Sequence, residues 1–250
     1  MKRLGHYLFA VGMAGLGLLS LIYDDFALVW QPVPEGVPGR AALAYVSGAI
    51  LVAGGLGLLW RKSASVAAGV LATFVSLWLV LLQVPRVWGH PADEGMWLGF
   101  GETTILVSGA WTIYILSRRI DRSDPGYLEN ARHGFLIFYG LLLPVIGASH
   151  YVYTQGTAGM IPKWVPLPVF FAYLTGTGHM AAGLGIVFGV LRRSAAIAEA
   201  AMITCFMLLL HAPGVASGPH DRLQWTMLFV VIYYCGSAWA IAGAVPERRG

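Results

Sequence analysis

Three histidines, His150, His179 and His211, lie within or at the edge of long apolar runs in the second half of the chain. A polar or ionisable side chain in such a run is costly unless it faces other protein groups or a cavity, so the three mark a candidate site. Two chemistries suit them. Neutral imidazoles at His150 and His211, which fall at similar depth, could ligate a haem iron or another metal. His179 and Tyr151 could instead hydrogen-bond a quinone carbonyl and move its proton. The non-chemical alternative is interhelical glue, with each histidine bonded to a backbone carbonyl or to Thr175 or Thr177. No two histidines share a metal-ligating spacing on one helix, which weighs against a metal. Glu102, a carboxylate inside another apolar run, is the remaining ligand-binding candidate, with Arg40 or Arg86 as its expected partner. Glu199 is expected to reach the membrane interface or to pair with Arg192 or Arg193.

These residues must be positioned by helices. The chain is 57% hydrophobic and only 11% charged, with a mean hydropathy of +0.68, against about 25% charged residues in soluble domains. Apolar runs broken by charged or Pro-rich segments predict an all-α integral membrane protein with about eight transmembrane helices. Their expected extents are 5–22, 41–60, 66–84, 97–116, 133–149, 168–191, 195–212 and 223–244. Twelve of the 16 Lys and Arg residues fall at one set of helix ends, from Lys2, Arg3, Arg61 and Lys62 to Arg192 and Arg193. Arg40, Arg86, Lys163 and Arg222 occupy the other. This bias predicts a multi-pass protein of the cytoplasmic (inner) membrane with both termini cytoplasmic. Lys2-Arg3 and the apolar run after them lack an A-x-A-like cleavage site and are expected to remain as the first helix. Trp30, Trp88, Trp97, Trp164 and Trp225 are expected in an outer aromatic belt. Cys205 and Cys235, far from any CxxC spacing, are expected to be small buried side chains.

The two halves resemble each other at one fixed offset, the one that lays Gly12 on Gly140. Further pairs in that register include Tyr23/Tyr151, Pro34/Pro162, Pro38/Pro166, Tyr45/Tyr173, Gly48/Gly176, Pro85/Pro213, Asp93/Asp221, Trp97/Trp225 and Trp111/Trp239. Fixed-offset similarity over so much of the chain marks a duplicated unit. Four spans per unit give both copies the same orientation, a parallel internal repeat. The expected organisation is two tandem four-helix bundles: residues 1–117, a cytoplasmic linker over 118–132, and residues 133–250. Asp93 and Asp221 are expected to cap the fourth helix of each unit. Positions 150, 179 and 211 correspond to Ile22, Leu51 and Gln83. The candidate chemistry therefore belongs to the second unit alone.

Ser149-His150-Tyr151, the Pro162…Pro166 turn, the run AYLTGTGHMAAGLG, the basic turn Arg192-Arg193 and Leu210-His211-Ala212-Pro213 resemble the DoxX/DoxD-like family of small membrane proteins. The resemblance covers 133–244 directly and 5–116 through the repeat. It implies a four-helix unit and, for some members, a membrane subunit of a thiosulfate:quinone oxidoreductase or a role in thiol redox balance. A glutamate common on the family's second helix is His179 here, and Leu51 in the first unit. The expectation is a DoxX-like membrane protein acting as the quinone-linked subunit of an oxidoreductase. Its quinone pocket would be formed by His150, Tyr151, His179, His211 and, more weakly, Glu102. The lipid bilayer and a redox partner subunit would be its partners, and haem is a less favoured cofactor than quinone. A non-enzymatic scaffold or assembly factor and a small-molecule transporter stay open as alternatives. No phosphate-cradling loop, nucleophile motif or nucleic-acid platform is present.

Overall fold

A computed structural model describes residues 1–118 and 125–246. Among the described residues there is no strand, and nine helices carry the chain. They are α1 (Lys2–Tyr23), α2 (Arg40–Leu59), α3 (Ala64–Gly89), α4 (Glu94–Ser117), α5 (Pro125–Val152), α6 (Thr154–Met160), α7 (Pro168–Phe188), α8 (Arg192–Ser217) and α9 (Arg222–Ala244). Seven of them, all but α4 and the short α6, are long and apolar enough to cross a membrane. The sequence predicts eight helices. The ninth, α6, arises because the segment after α5 coils into two further turns. Helix α4 is less apolar than the rest, because the polar residues Glu102, Thr103, Thr104 and Thr112 lie along it.

Helices α3 and α8 run past the prolines at which the sequence predicts them to end. Each widens into a π turn, Leu79–Gln83 and Met207–His211, just before Pro85 and Pro213. A proline lacks the N–H for an α-helical bond and its ring crowds the carbonyl four residues earlier. Those carbonyls, on Leu81 and Leu209, lie inside the π turns, where the wider ladder relieves the crowding. Helix α5 also starts earlier than expected. Pro125 suits a first helical turn, and Glu129 pairs with Arg132 one turn on. The second half of the expected linker is therefore helix; residues 119–124 lie outside the described residues.

The close helix neighbours run α1–α2–α3–α4–α5–α7–α8–α9 and back to α1, closing a ring that α4 and α9 bridge across its middle. The expected pair of separate four-helix bundles is thus not what forms. The first helix of each half packs closely on the fourth helix of the other, α1 on α9 and α5 on α4. Small residues cause this. A Cβ on Gly236 would lie 2.3 Å from the backbone nitrogen of Phe9, so α1 and α9 are in backbone contact that only glycine permits.

Several features recur at the offset that lays Gly12 on Gly140. Asp93 accepts the Gly95 N–H at 2.8 Å and Asp221 that of Leu223 at 2.7 Å, capping α4 and α9 as expected. Trp97 and Trp225 donate to the carbonyls of Pro91 and Pro219, both at 2.9 Å. Trp111 donates to Ser76 and Trp239 to Thr204, at 3.1 and 3.0 Å. At the end opposite the termini, Asp25 bridges the halves, accepting from Arg40 and, at 3.1 Å, from Arg222. Burial raises the pKa of Asp25, but hydrogen bonds from Arg40, the Phe26 N–H and Arg222 outweigh it and hold the carboxyl below 3.8. Arg40 is therefore not the partner of Glu102, and Arg86 instead bonds Gln83 at 3.1 Å.

Candidate functional site

Towards the end opposite the termini, beside α4 and α5, lies a cavity of about 760 Å³. Its walls come from four long helices, from α6 and from the loop after it. Helix α5 contributes Ile146, Ser149 and His150, spaced i, i+3, i+4 and hence on one face, and Tyr153, at the junction of α5 and α6, follows them. Helix α8 contributes Met202, Cys205, Phe206 and, through its π turn, Leu209, Leu210 and His211. Glu102 and Leu98 come from α4, Phe171 and Thr175 from α7, and Trp164 from the loop. Most of the wall is apolar, with two imidazoles and a carboxylate set into it.

His150 is held by the close approach of α5 and α7. A Cβ on Gly176 would sit 2.8 Å from both the Gly147 carbonyl oxygen and the His150 Cβ. His150 Nδ1 lies 3.0 Å from Thr175 Oγ1 and 3.3 Å from the Ala172 carbonyl. A carbonyl can only accept, and the Thr175 hydroxyl spends its proton on the Phe171 or Ala172 carbonyl. Nδ1 therefore carries the hydrogen, and Nε2 keeps a lone pair with no protein partner. That nitrogen is available to a ligand or to a metal. Among the described residues no group of three or more His, Cys, Asp and Glu side chains is placed to hold a metal ion.

His179 does not line the cavity. It lies behind His150 and Phe206, with ring centroids 5.2 and 6.0 Å away, and is only 1% exposed. Its partner is neither Thr175 nor Thr177 but Glu199, whose Oε1 lies 2.9 Å from His179 Nδ1. Glu199 is itself 1% exposed and its second oxygen has no partner. The expectation that Glu199 reaches the interface fails because α8 turns position 199 towards α7. Arg192 instead donates to the Ile186 carbonyl at 2.7 Å, closing the end of α7.

Tyr151, one residue past His150 and so about 100° round the helix, is also outside the cavity. It stacks on Tyr173 and bonds Thr177 on an exposed face. The structure thus brings together His150, His211 and Glu102, sets His179 immediately behind them, and leaves Tyr151 out. The Glu102 carboxylate faces the buried Trp30 indole and the buried Tyr234 hydroxyl. Trp30 consequently points inward, whereas Trp88 and Trp164 are 86% and 73% exposed. Cys205 is exposed rather than buried, and Cys235 is buried. The lining residues Tyr153, Met202 and Phe206 were not anticipated. Tyr153 could have been revealed by its spacing from His150; nothing in the sequence marks the two on α8.

Residues 139–241 match a family described as a domain of unknown function (DUF8561). That stretch contains His150, His179, Glu199 and His211. No curated protein and no solved structure matches the chain.

Proposed function

We propose that the chain is a multi-pass protein of the cytoplasmic membrane, made of two tandem DoxX-like units, whose second half binds a quinone or quinol as the membrane subunit of an oxidoreductase. The observation that carries this is the 760 Å³ cavity, within the roughly 300–1,000 Å³ range of small-ligand sites. Its apolar walls suit a prenylated ring. His150, with an unpartnered Nε2, His211 and the Glu102 carboxyl supply the polar groups that would meet the ring oxygens. A bound quinone or quinol exchanges two electrons and two protons, and imidazole and carboxyl groups are suited to the protons.

The bilayer placement is supported by the seven long apolar helices and by the large apolar side chains on their outward faces. Leu18, Val46, Leu56, Val66, Val70 and Leu77 are all between 45% and 70% exposed, a surface that water would not tolerate. The Lys and Arg bias supports cytoplasmic termini. The tandem unit is supported by the π turns, aspartate caps and tryptophan bonds that recur at equivalent positions of the two halves.

The test is quinone content. Protein moved from its native membrane into lipid nanodiscs should release quinone on solvent extraction. His150→Leu and His211→Leu should lose it, and Tyr151→Phe should keep it. Trp164 on the cavity wall provides a second readout, because an added short-chain quinone should quench its fluorescence. Wild-type protein that neither retains quinone nor is quenched overturns the proposal and leaves the scaffold reading.

A further inference from the structure

The Glu199–His179 pair is not required by the fold. The equivalent positions in the first half are Leu71 and Leu51, both fully buried in its apolar core. The same kind of helix contact is therefore built with two leucines there, and with a carboxylate and an imidazole in the second half. Burying two polar groups costs more than burying two leucines unless every hydrogen bond is made, and Glu199 Oε2 makes none. The pair sits 5.2 Å, centroid to centroid, behind the one histidine of α5 that opens on the cavity.

We propose that His150, His179 and Glu199 act as one proton-holding unit that takes up a proton from the cavity ligand and returns it. This rests on the quinone reading and specifies how the site handles the ligand's acidic hydrogen. Two imidazolium ions this close in an apolar interior repel each other strongly, so the pair holds one proton at most. The Glu199 carboxylate balances that charge. The ligand's O–H bond breaks at His150 Nε2, where the new N–H bond forms. The positive charge stays on His150, beside the His179 ring, whose Nδ1–H points at Glu199 Oε1. No electron moves in this step, and the unit goes from net negative to neutral.

Glu199 is a positioning residue: it fixes the hydrogen on His179 Nδ1 and supplies the negative charge behind His150, which is the base. The other groups around the unit are named by the elements packed on it. Tyr139 of α5 lies within electrostatic reach of Glu199, and Cys235 of α9 within reach of Tyr139. Neither is charged near neutral pH. Glu102 of α4 and His211 of α8 face the same cavity from its other walls.

The location also gives the unit a direction. Glu199 is seven residues from Arg192, about 10 Å along α8 from the terminus side. His179 lies at mid-helix in α7, and His150 near the opposite end of α5. The three groups step from the inner third of the helix layer to the cavity at the other side.

The experiment uses two probes on the full-length protein in nanodiscs. A 3-alkyl-2-hydroxy-1,4-naphthoquinone has an ionisable hydroxyl, and its 2-methyl analogue has none. Binding is followed by tryptophan quenching and proton exchange by a pH-indicator dye in weakly buffered solution at pH 8, where the hydroxyl probe is an anion. The probe has already released its proton to solution there, so wild type, holding a proton on His150 beside the bound anion, should take up about one proton from solution per bound hydroxyl probe and none with the methyl analogue. Glu199→Gln, and the His179→Leu/Glu199→Leu pair that copies the first half, should bind the methyl analogue as wild type does. Both should lose the proton uptake and bind the hydroxyl probe at least tenfold more weakly. Unchanged proton uptake in the folded Glu199→Gln protein overturns the inference and leaves quinone binding standing. Failure of wild type to bind either probe overturns both.

Discussion

The replacement of Glu199 and His179 by leucine, singly and together, separates what the pair costs from what it contributes. Both groups are 1% exposed, and their one hydrogen bond is 2.9 Å long. His179→Leu strands a buried carboxylate, and Glu199→Leu strands a buried imidazole N–H. Removing one partner of a buried polar pair costs about 3–5 kcal/mol. Replacing both with apolar groups of similar volume is neutral or stabilising by about 1–4 kcal/mol. The two singles would thus sum to a loss of roughly 6–10 kcal/mol, whereas the double variant should lose nothing. Leu51 and Leu71 indicate that a leucine pair packs there without strain, since each is 0% exposed in a well-filled core. Unfolding in mixed detergent micelles, followed by tryptophan fluorescence across a denaturing-detergent titration, measures all four proteins. A double variant as unstable as the sum of the singles would refute the reasoning, because the pair would then be part of what holds α7 to α8.

Gly236→Ala should lower the unfolding midpoint sharply, by overpacking of about 1–3 kcal/mol, because its Cβ would meet the Phe9 backbone at 2.3 and 2.6 Å. Gly156→Ala on α6, where a Cβ meets nothing within 4 Å, should be neutral or slightly stabilising; equal effects would discredit the seam argument. Asp25→Asn should lower stability at neutral pH through loss of the Arg40 and Arg222 bonds. Because the Asp25 pKa is depressed on folding, its contribution is complete above 3.8 and disappears as pH falls through the lower folded value. The gap between wild type and variant in acid titrations should therefore close only below pH 3.8. Asp93→Ala and Asp221→Ala should each cost about 1 kcal/mol as lost helix caps, measured by the same detergent titration; a loss at one position only would argue against equivalent caps.

Helix extents were legible because apolar runs and Lys/Arg clusters punctuate the sequence. The terminal overshoots at α3 and α8 were not, since a proline in sequence reads as a stop. Only the backbone reveals a π turn that lets the helix continue past Pro85 and Pro213. The interlocked ring was hidden for a different reason. Gly5, Gly12 and Gly236 advertise close packing but do not name the helix they pack on. At the candidate site, depth in an apolar run points to His150, His211 and Glu102, which line one cavity, whereas depth carries no information on rotation about the helix, which turns Tyr151 away. Glu199 illustrates the limit of reading charges by proximity in sequence. Its neighbour Arg192 turns away to the end of α7, and its partner lies 20 residues earlier on another helix.

The two junctions between the halves differ in the residues that form them. Helix α1 meets α9 through Gly5, Gly12 and Gly15 on one side and Gly236 and Gly243 on the other; hypothetical Cβ atoms there would all fall within 3 Å of a neighbour. The corresponding positions of α5 and α4 hold His133, Gly140, Leu143, Ser108 and Ile115, and Gly140 packs on Ile186 and Val187 of α7. Where α4 meets α5, a Cβ at Gly101 would be 3.5 Å from Ile146, an ordinary contact. Side chains replace glycine at four of the five positions, so the backbone contact of α1 with α9 is not repeated at those positions of α5 and α4. Glu102, Ser149 and His150 line the cavity on this side of the molecule. The imidazole–carboxylate pair of His179 and Glu199 stands behind that cavity, and Leu51 and Leu71 hold the equivalent positions of the first half, where an apolar core needs no hydrogen bond.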